Sequence, residues 1–171
     1  CVSPSGSGNG SGTDWNNTAN FGSMTFTRGN TYYLADGSYG SRTLTTAVSS
    51  STYIYIKKAT LSDHGTETGW SSTYGDEQAI LSHIDVNTGY LDIEGVTGTP
   101  STPSSYGIKV TPTSCPTAGD WTGIGFPGWL ISTPLTGLRL RHVHMAGCGS
   151  AGDVMGTGLS TGCPPGYACY P

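Results

Sequence analysis

A short phrase recurs along this 171-residue chain: an aliphatic residue, an outward polar or aromatic residue, a second aliphatic residue, and another polar one. It is written as Ile54-Tyr55-Ile56-Lys57, as Leu91-Asp92-Ile93-Glu94 and as Leu138-Arg139-Leu140-Arg141. Side chains alternate across a β-strand, so each phrase reads as a strand with one buried and one open face. The steps from 54 to 91 and from 91 to 138 are 37 and 47 residues, far too long for hairpins. Asn-Gly and similar two-residue hairpin signals are also missing between these runs, which disfavours antiparallel pairing. The expected class is all-β, with the phrases stacked as coils of a parallel solenoid. An antiparallel β-sandwich is the runner-up. In the solenoid register the inward pairs Ile54/Ile56, Leu91/Ile93 and Leu138/Leu140 stack in one sheet.

Other segments fit between these coils. "TYYLADG" reads as a strand near Tyr32 to Leu34 that ends at the Asp36-Gly37 turn signal. "QAILSHIDV", "GIKV" and "GWLIS" read as further strands, and "GLRLRHVHM" repeats the phrase with Leu138 and Leu140 inward. The segments 97–106 and 111–128 are rich in turn formers and are expected to project as loops. Residues 1–14 carry Gly and Ser and little to bury, so they read as a flexible lead-in. Residues 15–145 then form the coils, and 146–171 a Cys/Gly/Pro-rich loop or a truncated next coil.

Composition narrows the function. Seven Lys and Arg against eleven Asp and Glu leave no basic patch for nucleic acid. No apolar run approaches the about 20 residues that span a bilayer. "GTGLSTG" lacks the lysine of a phosphate loop and no GxSxG elbow occurs, which sets aside nucleotide chemistry and serine hydrolysis. The five cysteines, Cys1, Cys115, Cys148, Cys163 and Cys169, form no zinc spacing and read as disulfide formers in an oxidising compartment. Cys163 is expected to bridge Cys148 or Cys169, and the odd count leaves one thiol free or paired outside this chain. The start at Cys1 rather than Met suggests a piece of a longer, exported protein.

From about Arg28 to Met145 the phrases "RGNTYYLADGSYG", "YLDIEGV" and "LRLRHVHM" resemble the N-terminal coils of the pectin-lyase-like right-handed parallel β-helix superfamily. The resemblance implies an incomplete right-handed parallel β-helix whose strands end at tight left-handed bends, with Gly95 before Val96 as the fitting example and His142 before Val143 as a less permissive one. It also implies an extracellular or cell-surface protein that binds or cleaves polysaccharide. Lyases of that superfamily use outward acidic residues for calcium and an outward Lys or Arg to take the proton beside a uronate carboxylate. None of their signature motifs matches this chain residue by residue, so no catalytic role carries over.

Site candidates come from the outward ladders, Tyr55-Asp92-Arg139 and Lys57-Glu94-Arg141. If the protein is an enzyme, a polysaccharide lyase or glycoside hydrolase, Lys57, Arg139 and Arg141 are the candidate catalytic residues. Tyr55, Asp92, Glu94, Tyr106 and Trp121 are candidates for sugar binding, because flat rings with polar edges stack on sugar faces. Asp85, Asp92 and Glu94 are the candidate ligands for Ca2+. The ladders also read as cross-strand charge pairing on a solvated sheet, at a few tenths to about 1 kcal/mol per pair. His142 and His144 form an HxH that one strand would present on a single face, but no third metal ligand stands at a recognisable spacing, so one ring is expected to pack at a bend. The contrasting function is a non-enzymatic spike, adhesin or fibre subunit that associates end to end.

Overall fold

The protein is described from a computed structural model that covers residues 1–111, 124–125 and 136–145. Its strands are β1 (Val2–Ser3), β2 (Ala19–Asn20), β3 (Thr31–Leu34), β4 (Gly37–Leu44), β5 (Ile54–Lys58) and β6 (Ala79–Val86). They continue with β7 (Leu91–Glu94), β8 (Ile108–Val110), β9 (Ile124–Gly125), β10 (Leu138–Arg141) and β11 (Val143–Met145). The first sheet runs β10-β7-β5-β3-β1-β2 and the second β11-β8-β6-β4, with β9 also beside β6. From β3 to β8 the chain alternates strictly between the two sheets.

Every pair of named strands runs parallel. Such pairing requires a crossover between neighbours, which the long connections supply. It is compatible with a solenoid and removes the antiparallel sandwich. Ile54, Leu91 and Leu138 are aligned across three strands, as are Ile56, Ile93 and Leu140. These are the inward residues of the recurring phrase. They join Tyr39, Leu81, Ile84 and Val86 of the second sheet in one core cluster. Burial of each aliphatic side chain stabilises the fold by about 1.5–3 kcal/mol.

The 1–14 segment, expected as a flexible lead-in, has Val2 fully buried in β1 and polar groups hydrogen-bonded to residues 16–18. Asp14 Oδ1 accepts from the backbone N–H groups of Asn16 and Asn17, while the Ser3 and Ser7 hydroxyls both bond Thr18 Oγ1. After the bend at Asp36, where the sequence places a turn, "GSYGSRTL" continues as a strand that the sequence reading did not include, because Tyr39 and Leu44 anchor it in the core and β6 supplies a ladder along its length. "GLRLRHVHM" divides at the bend read at His142, which takes a φ of 49° although it is not glycine, and the two strands belong to different sheets.

At the matching bend of the preceding coil the positive φ, 68°, falls on Val96 and not on Gly95. Gly95 is needed for closeness instead. A Cβ there would run into the His142 carbonyl oxygen and lie 2.9 Å from the Ile108 nitrogen. The expected "GWLIS" strand, most of the 111–128 loop, the 146–171 tail, and Cys115, Cys148, Cys163 and Cys169 lie outside the described residues. The thiol of Cys1 is free.

One clamp was not legible in the sequence. Arg28 donates to the carbonyl oxygens of Thr46, Ala47, Thr52 and Gly89 and to the Thr88 hydroxyl, tying the β4–β5 and β6–β7 connections together. Its five fixed N–H groups suit that task.

Candidate functional site

Alternation along β5, β7 and β10 turns Tyr55, Lys57, Asp92, Glu94, Arg139 and Arg141 to the outer face of the first sheet. The register sets Asp92 between Tyr55 and Arg139, and Glu94 between Lys57 and Arg141. A cleft of about 360 Å³ opens on this face, lined by Tyr33, Tyr55, Lys57, Asp92, Glu94, Arg141 and His142 with Thr31, Ile56 and Val96. Five of the sequence candidates thus converge on one cleft.

Arg141 organises it. Its Nη2 lies 3.0 and 3.1 Å from the two Asp92 oxygens, and its Nη1 lies 2.6 Å from Glu94 Oε2. The guanidinium fork reaches both carboxylates at once. Those negative charges push the Arg141 pKa further up. Asp92 is only 3% exposed and Glu94 11%, while Arg139 and Arg141 are more than half exposed. The sheet is therefore not solvated beneath the guanidinium groups, which corrects the expectation of a weak surface pairing. Burial alone would raise the Glu94 pKa. Hydrogen bonds from His142 Nδ1 at 2.5 Å and from the Val96 N–H at 2.9 Å, with the charge of Arg141, outweigh it and hold the carboxyl below the usual range.

Lys57 turns away from Glu94 to pair with Asp63. Asp63 is held below its ordinary pKa by its hydrogen bond to that lysine, against a smaller rise from burial. Arg139 lies 3.7 Å from Asp92 Oδ2 and places its guanidinium 4.3 Å from the centre of the Tyr53 ring. Tyr53 stacks on Tyr55 at 5.9 Å and meets Tyr90 edge-on at 5.6 Å. An aromatic row therefore leads along β5 into the polar cleft.

The remaining candidates stand elsewhere. Tyr106 packs edge-on against His142 at 5.5 Å, behind the cleft lining, and Trp121 lies outside the described residues. Asp85 belongs to β6 in the second sheet, where it pairs with His83 at 2.9 Å and accepts from the Thr43 hydroxyl, so it does not join Asp92 and Glu94 in a calcium site. The oxygens of Asp92 and Glu94 are already engaged by Arg141 and His142. Among the described residues no three His, Cys, Asp or Glu side chains are grouped to hold a metal. His142 and His144 do not share one strand face, because His142 is the bend residue after β10 and His144 lies in β11. The His144 Nδ1 is buried without a hydrogen-bond partner.

Sequence reasoning missed the role of His142 at the cleft and a second charged pair behind it. Lys58, 1% exposed, lies 2.5 Å from Asp36. A signal existed: Ile54 and Ile56 face inward, so the parity of the strand turns the second of two consecutive lysines inward as well. Comparison of the chain with protein-family models, with curated proteins and with solved structures finds no significant match.

Proposed function

We propose that this chain is an extracellular polysaccharide-binding module, built as a right-handed parallel β-helix of the pectin-lyase-like kind, which takes a sugar polymer along the outer face of its first sheet. The observation that carries the reading is the Tyr53-Tyr55 stack running into a cleft of fixed hydrogen-bonding groups. Rings supply flat apolar contact for sugar faces, and the carboxylate and guanidinium edges supply partners for hydroxyls. Lys57, Arg139 and Arg141 are balanced by Asp63, Asp92 and Glu94, and this balance favours neutral or sparsely charged polymers over dense polyanions.

Binding is supported over cleavage by the state of the same groups. A lyase base must first be neutral, yet Arg141, which lines the cleft, is held more firmly protonated by its hydrogen bonds to Asp92 and by the charges of Asp92 and Glu94. A glycosidase acid needs a raised carboxyl pKa, and that of Glu94 is lowered. Calorimetric titration with a panel of neutral and uronate polymers tests the reading. Tyr55→Ala should weaken binding by about tenfold, a loss of about 1.4 kcal/mol, with an unchanged circular dichroism spectrum. Unsaturated product detected by ultraviolet absorbance, with or without calcium, and lost on Lys57→Ala or Arg139→Ala would replace binding with lyase chemistry. No binding to any polymer, together with end-to-end association, would favour the structural rod.

A further inference from the structure

We propose that Lys58 and Asp36 form an intramolecular amide bond, a covalent staple between successive coils. The two residues lie at one corner of the fold. Asp36 occupies the bend between β3 and β4, and Lys58 ends β5, where it is paired in register with Leu34. Both side chains are withdrawn from water, at 1% exposure for Lys58 and 11% for Asp36.

The geometry resembles an acyl-transfer site more than an ordinary ion pair. Asp36 Oδ2 accepts the backbone N–H groups of Asp76 at 3.0 Å and Glu77 at 2.7 Å, so two donors are fixed on the oxygen that would carry negative charge after attack at Cγ. Lys58 Nζ lies 2.5 Å from Oδ1, an oxygen on which no other donor is placed among the described residues, so the amine sits directly against the carboxyl. Nζ is held there by the carbonyl oxygens of Ala59 at 2.6 Å and Tyr74 at 3.1 Å. Burial lowers the Lys58 pKa, and the hydrogen bond to Asp36 with the charges of Asp36 and Asp76 only partly opposes it, which favours the neutral amine as nucleophile.

The reaction balances without any other reagent. The Lys58 ammonium transfers one proton to Oδ1, and the free amine attacks Cγ. A second proton passes from Nζ to Oδ1, the Cγ–Oδ1 bond breaks, and water leaves. The product is neutral and keeps its partners: Oδ2 retains both backbone N–H groups, and the remaining Nζ–H retains a carbonyl. A buried charged pair becomes a buried amide, which carries a smaller desolvation cost.

Intact mass spectrometry of the full chain, reduced and denatured, reads the bond. The expected mass is lower than that of the sequence by one water, and a protease digest yields a branched peptide containing both Asp36 and Lys58. Lys58→Met and Asp36→Ala should each show their full calculated mass. Wild-type protein at full mass overturns the proposal. So does a water loss that persists in Lys58→Met and maps to a linear peptide, since that is cyclisation of Asp36 onto the Gly37 nitrogen. The wild-type peptide map decides the matter even if a variant does not fold.

Discussion

Arg141 shows how burial changes the worth of a charge. Its guanidinium is half exposed, yet it covers carboxylates that are nearly closed to water. Arg141→Ala leaves Asp92 with Arg139 at 3.7 Å as its nearest cation. Breaking a buried pair costs about 3–5 kcal/mol, and discounting for the exposed arginine gives an expected loss of about 2 kcal/mol, read as a lower urea midpoint at unchanged slope. Arg139→Ala should cost about 1 kcal/mol or less, since it removes one exposed ring contact and a long ion pair. Glu94 adds a pH signature. Its folded pKa is depressed below the ordinary glutamate value, so its stabilisation is complete above that ordinary value and is lost as the pH falls through the folded value. Urea midpoints measured against pH should decline in that acid window for the native chain, and decline less for Glu94→Gln.

Strands were legible where apolar and charged residues alternate and illegible where glycine and serine stand at outward positions. Ile54/Ile56, Leu91/Ile93 and Leu138/Leu140 announce their register because any slip would turn aliphatic side chains to water. β4 could not be read this way, since its hydrogen bonds come from β6, more than thirty residues later, and only Tyr39 and Leu44 mark its inner face. The cleft was half legible. Its outward ladder follows from strand parity, whereas His142 enters through a bend whose positive φ no local signal specifies, and Asp63 arrives from a turn. Gly95 belongs to this level too. Its amide donates to the Arg141 carbonyl at 2.9 Å, in the close approach that a Cβ would block. Gly95→Ala should destabilise the protein by about 3 kcal/mol, because backbone on both sides would have to move. Thermal melting checks the loss, and amide exchange should show protection falling first in β7 and β10.

Among the described residues, the molecule is held by pairings between strands far apart in sequence, and no two named strands form a hairpin to start from. Leu91 and Leu138 meet across 47 intervening steps of chain. Loop-closure entropy is lost before such contacts form, so refolding from urea should be slow, in a range of about milliseconds to seconds, and stopped-flow tryptophan fluorescence would measure it. The same unequal spacing bears on how such a chain can diversify. By the logarithmic dependence of closure entropy on length, a step of 47 residues rather than 37 costs only about 0.2 kcal/mol more. Insertions between strands are thus nearly invisible to selection for stability, whereas one added residue within a strand inverts its two faces. Descendants of one ancestral coil could drift to quite different lengths while their inward pairs stay in step, and the kinship would survive in the stacking long after it had faded from the spacing.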